Sequence, residues 1–334
     1  MINDVYILAI ETSCDDTSVA ILKNQKVLSN IVSSQKIHEI YGGVVPELAS
    51  REHDRLIIPV LKKAINDAGV NLVDIHAIAY TRGPGLLGSL LVGTSFAKSL
   101  ALSLDIPLIE INHMQAHILS IFIDDNPEKP EFPFIALTVS GGHTQLVLVK
   151  DYKNFVELGT TLDDAAGEAF DKLSRFCGFG FPGGPAIQKI GEGGDPNKIV
   201  LPRPKTKHEY NYSFSGLKTA ATNFLNNLDP NDKVTKADFA ASYQEAIVDS
   251  LLSNFVKAVN ETGVKNISGG GGVMANSRLR EKMNIFAENN DLNIYLPTPK
   301  LSTDNAAMIC VAAQNNLITN DINADDVRLS SIIT

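Results

Sequence analysis

His113-Met-Gln-Ala-His117 sets two imidazoles four residues apart, on one face of a helix and close enough to share a metal ion. The plainer alternative is one histidine capping the helix and the other exposed. A zinc-peptidase helix would carry glutamate directly after the first histidine as general base, and this chain has Met114 there. The third ligand should be a carboxylate. Asp304, in Ser302-Thr-Asp-Asn305 at the start of the last expected helix, is the candidate, with helix capping as its ordinary role. Two histidines and one carboxylate suit Fe(2+) or Zn(2+) with positions left open for substrate oxygens, and the spacing does not choose between the two metals.

Two glycine turns have the composition of anion cradles. In Ser140-Gly-Gly-His-Thr144 the missing side chains let backbone N–H groups approach an anion. Gly269-Gly-Gly-Gly-Val-Met-Ala-Asn276 places the same device between a strand and a helix N-terminus. Asn276 there either caps the helix or hydrogen-bonds a base or ribose. Neither turn has a Walker A lysine or Rossmann spacing.

Carboxylates form the next group. Asp164, Glu168 and Asp171 fall on one face of an expected helix, which is unfavourable unless a positive group offsets them; a solvated face is their ordinary reading. Gly167 inside that helix is costly and points to a close approach. Asp171 is a candidate for ribose hydroxyls. Glu11 and Asp15, in the first turn, are candidate catalytic carboxylates that orient a water or accept a proton, with turn formation as the ordinary role of Asp15 and Asp16. Phe181-Pro-Gly-Gly-Pro185 reads as a rigid loop in which Gly184 has no side chain to obstruct a ligand. Pro202-Arg-Pro-Lys-Thr-Lys-His208 is the most basic stretch of the second half, an exposed loop by default and an RNA contact as the alternative.

The elements that must position these residues alternate strand and helix, which makes the fold α/β. Strands are expected over 5–10, 17–22, 26–33, 75–80 and 107–111, then over 134–139, 144–149 and 264–268. Helices are expected from Pro46 to about Ala68, broken near Pro59, and over 89–104, 113–122, 163–176, 214–228, 236–261, 277–289 and 305–317. The second half reads as mainly helical. The strand, small polar turn, strand pattern occurs at the N-terminus and again after the acidic, Pro-rich link 124–133, which argues for duplication of one unit and two lobes facing each other. The boundaries that follow are 1–130 completed by 305–334 for one lobe and 131–304 for the other.

The totals bound the classes available. A chain of 334 residues with 44% hydrophobic and 20% charged residues is ordinary globular material. No apolar run approaches the roughly 18 residues that span a bilayer, so no membrane role is expected. Cys14, Cys177 and Cys310 form no paired motif, which suits a reducing, cytoplasmic setting. The net charge of −9 disfavours unaided grip on nucleic acid, so any RNA role needs local basic patches or partner proteins.

Taken in order, these motifs resemble the TsaD family. The likeness is carried by Ile10-Glu-Thr-Ser-Cys-Asp15, Tyr41 to Arg51, Gly83-Pro-Gly85, His113 to His117, Val139 to Gln145, Asp163 to Lys172 and Phe181 to Pro185. Tyr212 to Thr219, Gly271 to Asn276 and Thr303-Asp-Asn305 complete it. It spans nearly the whole chain. The resemblance implies the actin, heat-shock-chaperone and sugar-kinase (ASKHA) fold, with two ribonuclease H-like cores. It implies transfer of threonylcarbamoyl from threonylcarbamoyl-AMP to the exocyclic amine of the adenosine beside the anticodon, in tRNAs reading codons that begin with A. It also implies one metal, usually iron, on His113, His117 and Asp304, and the adenylate on Thr138, Val139, Ser140, Gly141, Gly142, Asp171, Gly184 and Asn276. Partners implied are a degenerate paralogous subunit and a P-loop ATPase. Asn112 stands where many relatives have another histidine, Arg82 replaces a small or acidic residue, and the tail Val327 to Thr334 lacks the basic, Trp-containing ending of relatives. The rival functions are a small-molecule kinase of the same superfold, a zinc endopeptidase, and a non-catalytic scaffold, which would not need to keep metal ligands.

Overall fold

The structure, a computed structural model, describes residues 4–123, 128–228 and 233–318. The C-terminal tail from Val327 and part of the expected 124–133 link lie outside the described residues. The chain divides into two compact units, Met1–Lys129 with Asp304–Thr334, and Pro130–Thr303.

In the first unit the chain runs through strands β1 (Tyr6–Glu11), β2 (Asp16–Lys23) and β3 (Lys26–Ser34), a short helix α1 (Ile37–Tyr41) and a long one, α2 (Pro46–Ala68). Then follow β4 (Ala77–Gly83), α3 (Leu87–Leu104), β5 (Leu108–Asn112) and α4 (His113–Leu119). The sheet order is β3-β2-β1-β4-β5, with β1–β3 antiparallel and β4 and β5 parallel to β1. Central β1 is covered on both faces, which is why Ile7-Leu-Ala-Ile10 is uniformly apolar. Leu8 and Ile10 join Val19, Ile21, Ile78 and Tyr80 in a core with Ile57, Val60, Ala97 and Ala101 of α2 and α3.

Two expectations are corrected here. Helix α2 is continuous through Pro59, not broken there. Pro59 is on the exposed side, where water can take the carbonyl that loses its donor, while buried Ile57, Val60, Leu61 and Ala64 hold the opposite side to the core. Helix α3, with 18 residues and mean hydropathy 1.4, is long and apolar enough to cross a membrane by length and composition alone. Counting unbroken apolar runs misses it because small and polar residues interrupt it. Ser89, Gly93, Thr94, Ala97 and Ala101 are its buried positions, and their small size lets it pack closely. A Cβ at Gly93 would stand 2.2 Å from Thr12 Oγ1, and one at Gly85, just ahead of the helix, 2.5 Å from the Ser13 carbonyl.

The second unit repeats the sheet. Strands β6 (Phe134–Val139), β7 (Thr144–Val149) and β8 (Phe155–Thr160) form the antiparallel part. Helices α5 (Ala166–Cys177), α6 (Gly183–Ile190), α7 (Ser215–Asn226) and α8 (Lys236–Thr262) follow. Then come β9 (Asn266–Gly270), α9 (Ser277–Asn289), β10 (Asn293–Tyr295) and α10 (Pro299–Ser302). The order β10-β9-β6-β7-β8, with β9 parallel to β6 and β10 parallel to β9, is the same five-strand topology as in the first unit. The duplication thus covers the whole sheet, not only its opening hairpin. The last helix, α11 (Ala306–Ile318), belongs to the first unit, where it packs on β1 and β2 with Cys310 Sγ 3.7 Å from the Ile7 carbonyl and 3.6 Å from that of Ala20.

Strands β8 and β10 were not foreseen. Most of β8 is exposed or half-buried and β10 has three residues, so neither carries a strong apolar pattern. Phe181 to Pro185 is not a loop throughout, because α6 begins at Gly183. The helix expected from Asp163 starts at Ala166, so Asp164 lies ahead of it.

Candidate metal centre and glycine turns

At the end of β5 the Asn112 side chain accepts from the N–H groups of Met114 (2.9 Å) and Gln115 (3.1 Å), capping α4. Asn112 therefore starts the helix that carries His113 and His117. His113 and His117 follow one turn apart, 5% and 0% exposed, with ring centroids 4.6 Å apart and planes at 79°. Asp304 Oδ1 lies 3.0 Å from His117 Nε2 and 3.6 Å from His113 Nε2, and the ligand atoms of all three residues lie within 4.8 Å of one another. Capping of α11 falls to the next residue, whose Oδ1 (Asn305) accepts from Met308 N at 3.1 Å, while Ser18 Oγ of β2 accepts from Ala306 N at 2.9 Å. These bonds fix the start of α11 and leave the Asp304 carboxylate directed at the histidines.

Glu11 is not on an open turn. It ends β1, is 0% exposed, and accepts from Ser13 N, the Thr81 hydroxyl and His113 Nδ1, the last at 3.2 Å. Burial works against its ionisation, but the facing His113 outweighs that and holds the carboxyl below its usual range. His113 in turn is raised to about 9, against its own burial, by Glu11 and Asp304. With the Nδ1 proton of His113 given to Glu11, Nε2 faces Asp304. Among the described residues the buried Nδ1 of His117 has no hydrogen-bond partner. Two imidazoles and a carboxylate converging in this way form a donor set that fits a borderline divalent cation.

The turn after Glu11 is fixed from α2 and β3. His53, 0% exposed, donates from Nε2 to the Cys14 carbonyl (2.9 Å), and its Nδ1 lies 2.8 Å from the Thr17 hydroxyl. Gln35 N donates to the Asp15 carbonyl at 3.1 Å. Asp15 is half-buried, and burial raises its pKa, with Asp304 adding to the rise. Asp16 is pushed up to about 7, by burial first and then by Asp304, Asp15 and Glu11. Asp15 is thus in the electrostatic reach of the His113, His117 and Asp304 cluster, whereas Glu11 is bonded to it directly.

In the second unit, Thr138 and Val139 end β6 and the turn Ser140-Gly-Gly-His143 closes with Ser140 N to the His143 carbonyl (2.8 Å) and His143 N to Ser140 Oγ (3.1 Å). The Thr138 hydroxyl is buried with no hydrogen-bond partner among the described residues. The neighbouring glycines separate into two groups. A Cβ at Gly167 would come within 2.5 Å of the Ser140 carbonyl, at Gly183 within 2.5 Å of that of Phe170, and at Gly271 within 2.4 Å of that of Val139. Those three are glycine because backbone passes against backbone. At Gly141, Gly142 and Gly184 a Cβ would meet nothing within 4 Å, and none of the three has positive φ. Neither packing nor backbone conformation requires glycine there, which is the pattern of a cradle shaped for something outside the protein.

Asp171 Oδ1 accepts from Gly183 N at 2.6 Å, so this carboxylate holds the first turn of α6, with Gly184 next in line. The positive group that the neighbouring carboxylates require is Lys172, which pairs with Asp164 at 2.6 Å and Glu168 at 2.9 Å. Asn276 caps α9 through Leu279 N (3.0 Å) and donates to Gln244 Oε1 (2.7 Å), while Ser277 N donates to Gln188 Oε1 of α6 (2.9 Å). The capping role is therefore present at Asn276. Below it, Glu245 of α8 receives both Arg278 and Lys282 of α9, and Lys282 and Arg203 share Asp249. The 140–142 turn, the start of α6 and the 271–276 turn are thereby tied together. Sequence reasoning found these turns but missed Gln188, Gln244 and Glu245, which occupy plain helical positions with no local signal. Arg203 anchors the basic 202–208 segment, and Lys205, Lys207 and His208 are exposed.

A model of the TsaD family, described as tRNA N6-adenosine threonylcarbamoyltransferase, matches residues 26–311. Proteins carrying that name are 51% identical over 95% of this chain and 94% of their own in Christiangramia forsetii, and 52% identical over 92% of each in Riemerella anatipestifer. Their name supports the transferase over the kinase and endopeptidase alternatives. Among solved structures, HypF from T. kodakarensis superposes on 95% of this chain and 48% of its own with a TM-score of 0.64 at 16% identity, a likeness of fold that agrees with the two-core ASKHA architecture. The chain belongs to the TsaD family of tRNA N6-adenosine threonylcarbamoyltransferases.

Proposed function

We propose that this enzyme transfers the threonylcarbamoyl group of threonylcarbamoyl-AMP to the exocyclic amine of the adenosine beside the anticodon, in tRNAs reading codons that begin with A. The observation that carries the proposal is the convergence of His113, His117 and Asp304, with Glu11 behind His113, in a chain of this family. The three ligands would hold one divalent metal, Fe(2+) in preference to Zn(2+). When bound, it supplies Lewis-acid stabilisation of charge on the acyl donor. Thr138, Val139, Ser140, Gly141, Gly142 and Gly184 would receive the adenylate, with backbone N–H groups and the unpartnered Thr138 hydroxyl as donors. Asp171 and Asn276 would contact it while holding the helices that shape the cradle. Glu11, enclosed by three donors, acts in positioning His113; Asp15 is the better placed of the two carboxylates to take the amine proton.

The charge difficulty eases when the units are counted separately. Residues 130–303 contain 18 Lys and Arg against 19 Asp and Glu, while the other unit has 11 against 19. The acidity is concentrated in the first unit, and the second, with Lys205 and Lys207 exposed, is the one suited to tRNA phosphates. A degenerate paralogous subunit would cover the exposed Leu87 and Leu91 of α3 and Ile58 of the adjoining α2, a P-loop ATPase of the pathway would join the assembly, and the setting is cytoplasmic. The lobe boundaries read from the sequence, 1–130 with 305–334 and 131–304, differ from those of the compact units by one residue, which keeps Asp304 in the unit of His113 and His117.

The test supplies purified enzyme, with its pathway partners, threonylcarbamoyl-AMP labelled in threonine and unmodified tRNA, and counts label in the tRNA. Label is expected only with the target adenosine present and to be lost in His113→Ala. Labelling independent of either would reject the proposal.

A further inference from the structure

One polar residue stands in the otherwise apolar core stripe of α2. The buried residues of that helix are Ala49, His53, Ile57, Val60, Leu61 and Ala64, and His53 is 0% exposed. An imidazole is costly there unless both ring nitrogens are bonded. Both are. Nε2 lies 2.9 Å from the Cys14 carbonyl, which can only accept, so Nε2 carries the proton. The bare Nδ1 is then the acceptor, and the Thr17 hydroxyl donates to it at 2.8 Å. Burial lowers the pKa of His53, which keeps the ring neutral and in this one tautomer.

The two groups that His53 holds stand on either side of Asp15. Two further bonds tighten the same stretch. Ser89 Oγ of α3 donates to the Cys14 carbonyl at 3.3 Å, and Gln35 N, just past β3, donates to the Asp15 carbonyl at 3.1 Å. The backbone of residues 14 and 15 is therefore tied from three elements, while the Asp15 side chain stays half-buried. The turn also keeps two buried polar atoms, Ser13 Oγ and Asp16 Oδ1, with no hydrogen-bond partner among the described residues. A turn held this firmly with polar atoms left over has the character of a surface that meets a polar substrate.

We infer that His53 is a positioning residue for the transfer, holding the Cys14 to Thr17 turn so that the Asp15 carboxylate meets the acceptor amine in one orientation. The inference deepens the proposed function and rests on Asp15 as the group that takes the amine proton. Packing at this place on α2 needs only an apolar side chain, as its neighbours Ala49 and Ile57 show. An imidazole bonded at both nitrogens adds direction, and direction is of use where a group on the held segment must be aimed.

The test is a double-mutant cycle on the rate of transfer to tRNA, using the full chain, its pathway partners and saturating threonylcarbamoyl-AMP. His53→Leu fills the site but makes neither bond, and should lower kcat about 10- to 100-fold with KM for tRNA and metal content unchanged. His53→Gln can still donate to Cys14 and accept from Thr17, and should recover most of that loss. Thr17→Val removes the hydroxyl alone, should give a smaller loss in the same direction, and carries the comparison if His53→Leu does not fold. In an Asp15→Asn background either substitution should cost almost nothing further, because the group it aims is gone. An unchanged kcat in folded His53→Leu, or an equal loss with and without Asp15, would overturn the inference and leave His53 a core residue alone. An unchanged kcat in Asp15→Asn itself would reject Asp15 as the proton acceptor, the reading on which the inference rests.

Discussion

Glu11 and His113, 102 residues apart in sequence, meet with the carboxylate 3.2 Å from Nδ1 while the opposite ring nitrogen of the same imidazole faces Asp304. One carboxylate thus sets the tautomer of the ring that another shares. Glu11 can do this because β1 and β4 are parallel neighbours, so Thr81 and the strand-to-helix junction at Asn112 and His113 both lie at the same end of the sheet as the end of β1.

Replacing Glu11 by Gln should therefore weaken metal binding without removing a ligand. Loss of an outer partner of a ligating histidine costs roughly 10- to 100-fold in affinity. Chelator competition should show that decrease, and activity should return as metal is added in excess. Activity lost with metal fully bound would instead place Glu11 among the groups that touch substrate.

Asp304 and Asn305 are adjacent and should fail in different ways. Asp304→Ala removes a carboxylate from the metal cluster but leaves the cap of α11 intact, so metal binding should collapse while the thermal midpoint of the metal-free protein holds. Asn305→Ala removes the acceptor for Met308 N in a fully buried setting and should cost about 1–2 kcal/mol of stability. Parallel thermal melts and metal titrations of the two variants separate the roles.

How much of this was legible in the sequence follows from the range of each signal. The HxxxH pair, the glycine turns and the first hairpin of each sheet are local patterns, and the structure bears out the helix and strands they predict. Asp304 required a guess across 187 residues; in the folded chain its carboxylate lies beside the histidines, while Asn305 caps α11 instead. Glu11 was read as a candidate catalytic carboxylate of the first turn, whereas it ends β1 and is buried. Strand alternation contains the correction, since Glu11 shares a face with Ile7 and Ala9, which point away from α2 and α3. Gln35, Gln188 and Gln244 were invisible, because a glutamine in a helix or loop looks solvated until the group it satisfies is known. Pro59 misled for the converse reason: a helix interior proline breaks a helix only when its lost hydrogen bond cannot be given to water.

The two glycines that open α6 provide a direct probe of the proposed adenylate cradle. Gly183→Ala would place a methyl group 2.5 Å from the Phe170 carbonyl and should destabilise the second unit by about 1–3 kcal/mol. Gly184→Ala meets nothing within 4 Å beyond its chain neighbours and its own helix backbone and should leave the thermal midpoint unchanged or raise it slightly. If the adenylate lies against Gly184, its KM should rise about tenfold, the effect of an overpacked contact of ~1.4 kcal/mol. An unchanged KM in a stable Gly184→Ala enzyme would move the adenylate away from α6.

The charged network beneath Asn276 predicts how the second unit responds to acid. Burial opposes ionisation of Glu245, but Arg278 and Lys282 more than compensate and depress its pKa to about 2. A carboxylate depressed in the folded state binds fewer protons there than in the unfolded chain. Its stabilisation is therefore complete above the unfolded value near 4.5 and is lost as pH falls from there toward 2. Glu245→Gln should remove that pH dependence and lower stability at neutral pH by about 2 kcal/mol, less than a fully buried pair because Arg278 and Lys282 keep 30% and 22% of their side-chain surface in water. Since Arg278 and Asn276 lie on the same end of α9, the variant should also loosen the 271–276 turn and raise KM for the adenylate more than it lowers kcat. Urea denaturation between pH 2 and pH 7, run on wild type and variant together, checks the first claim. Wild-type stability that does not fall between pH 4.5 and pH 2, or that falls equally in the variant, would show that another carboxylate controls acid unfolding.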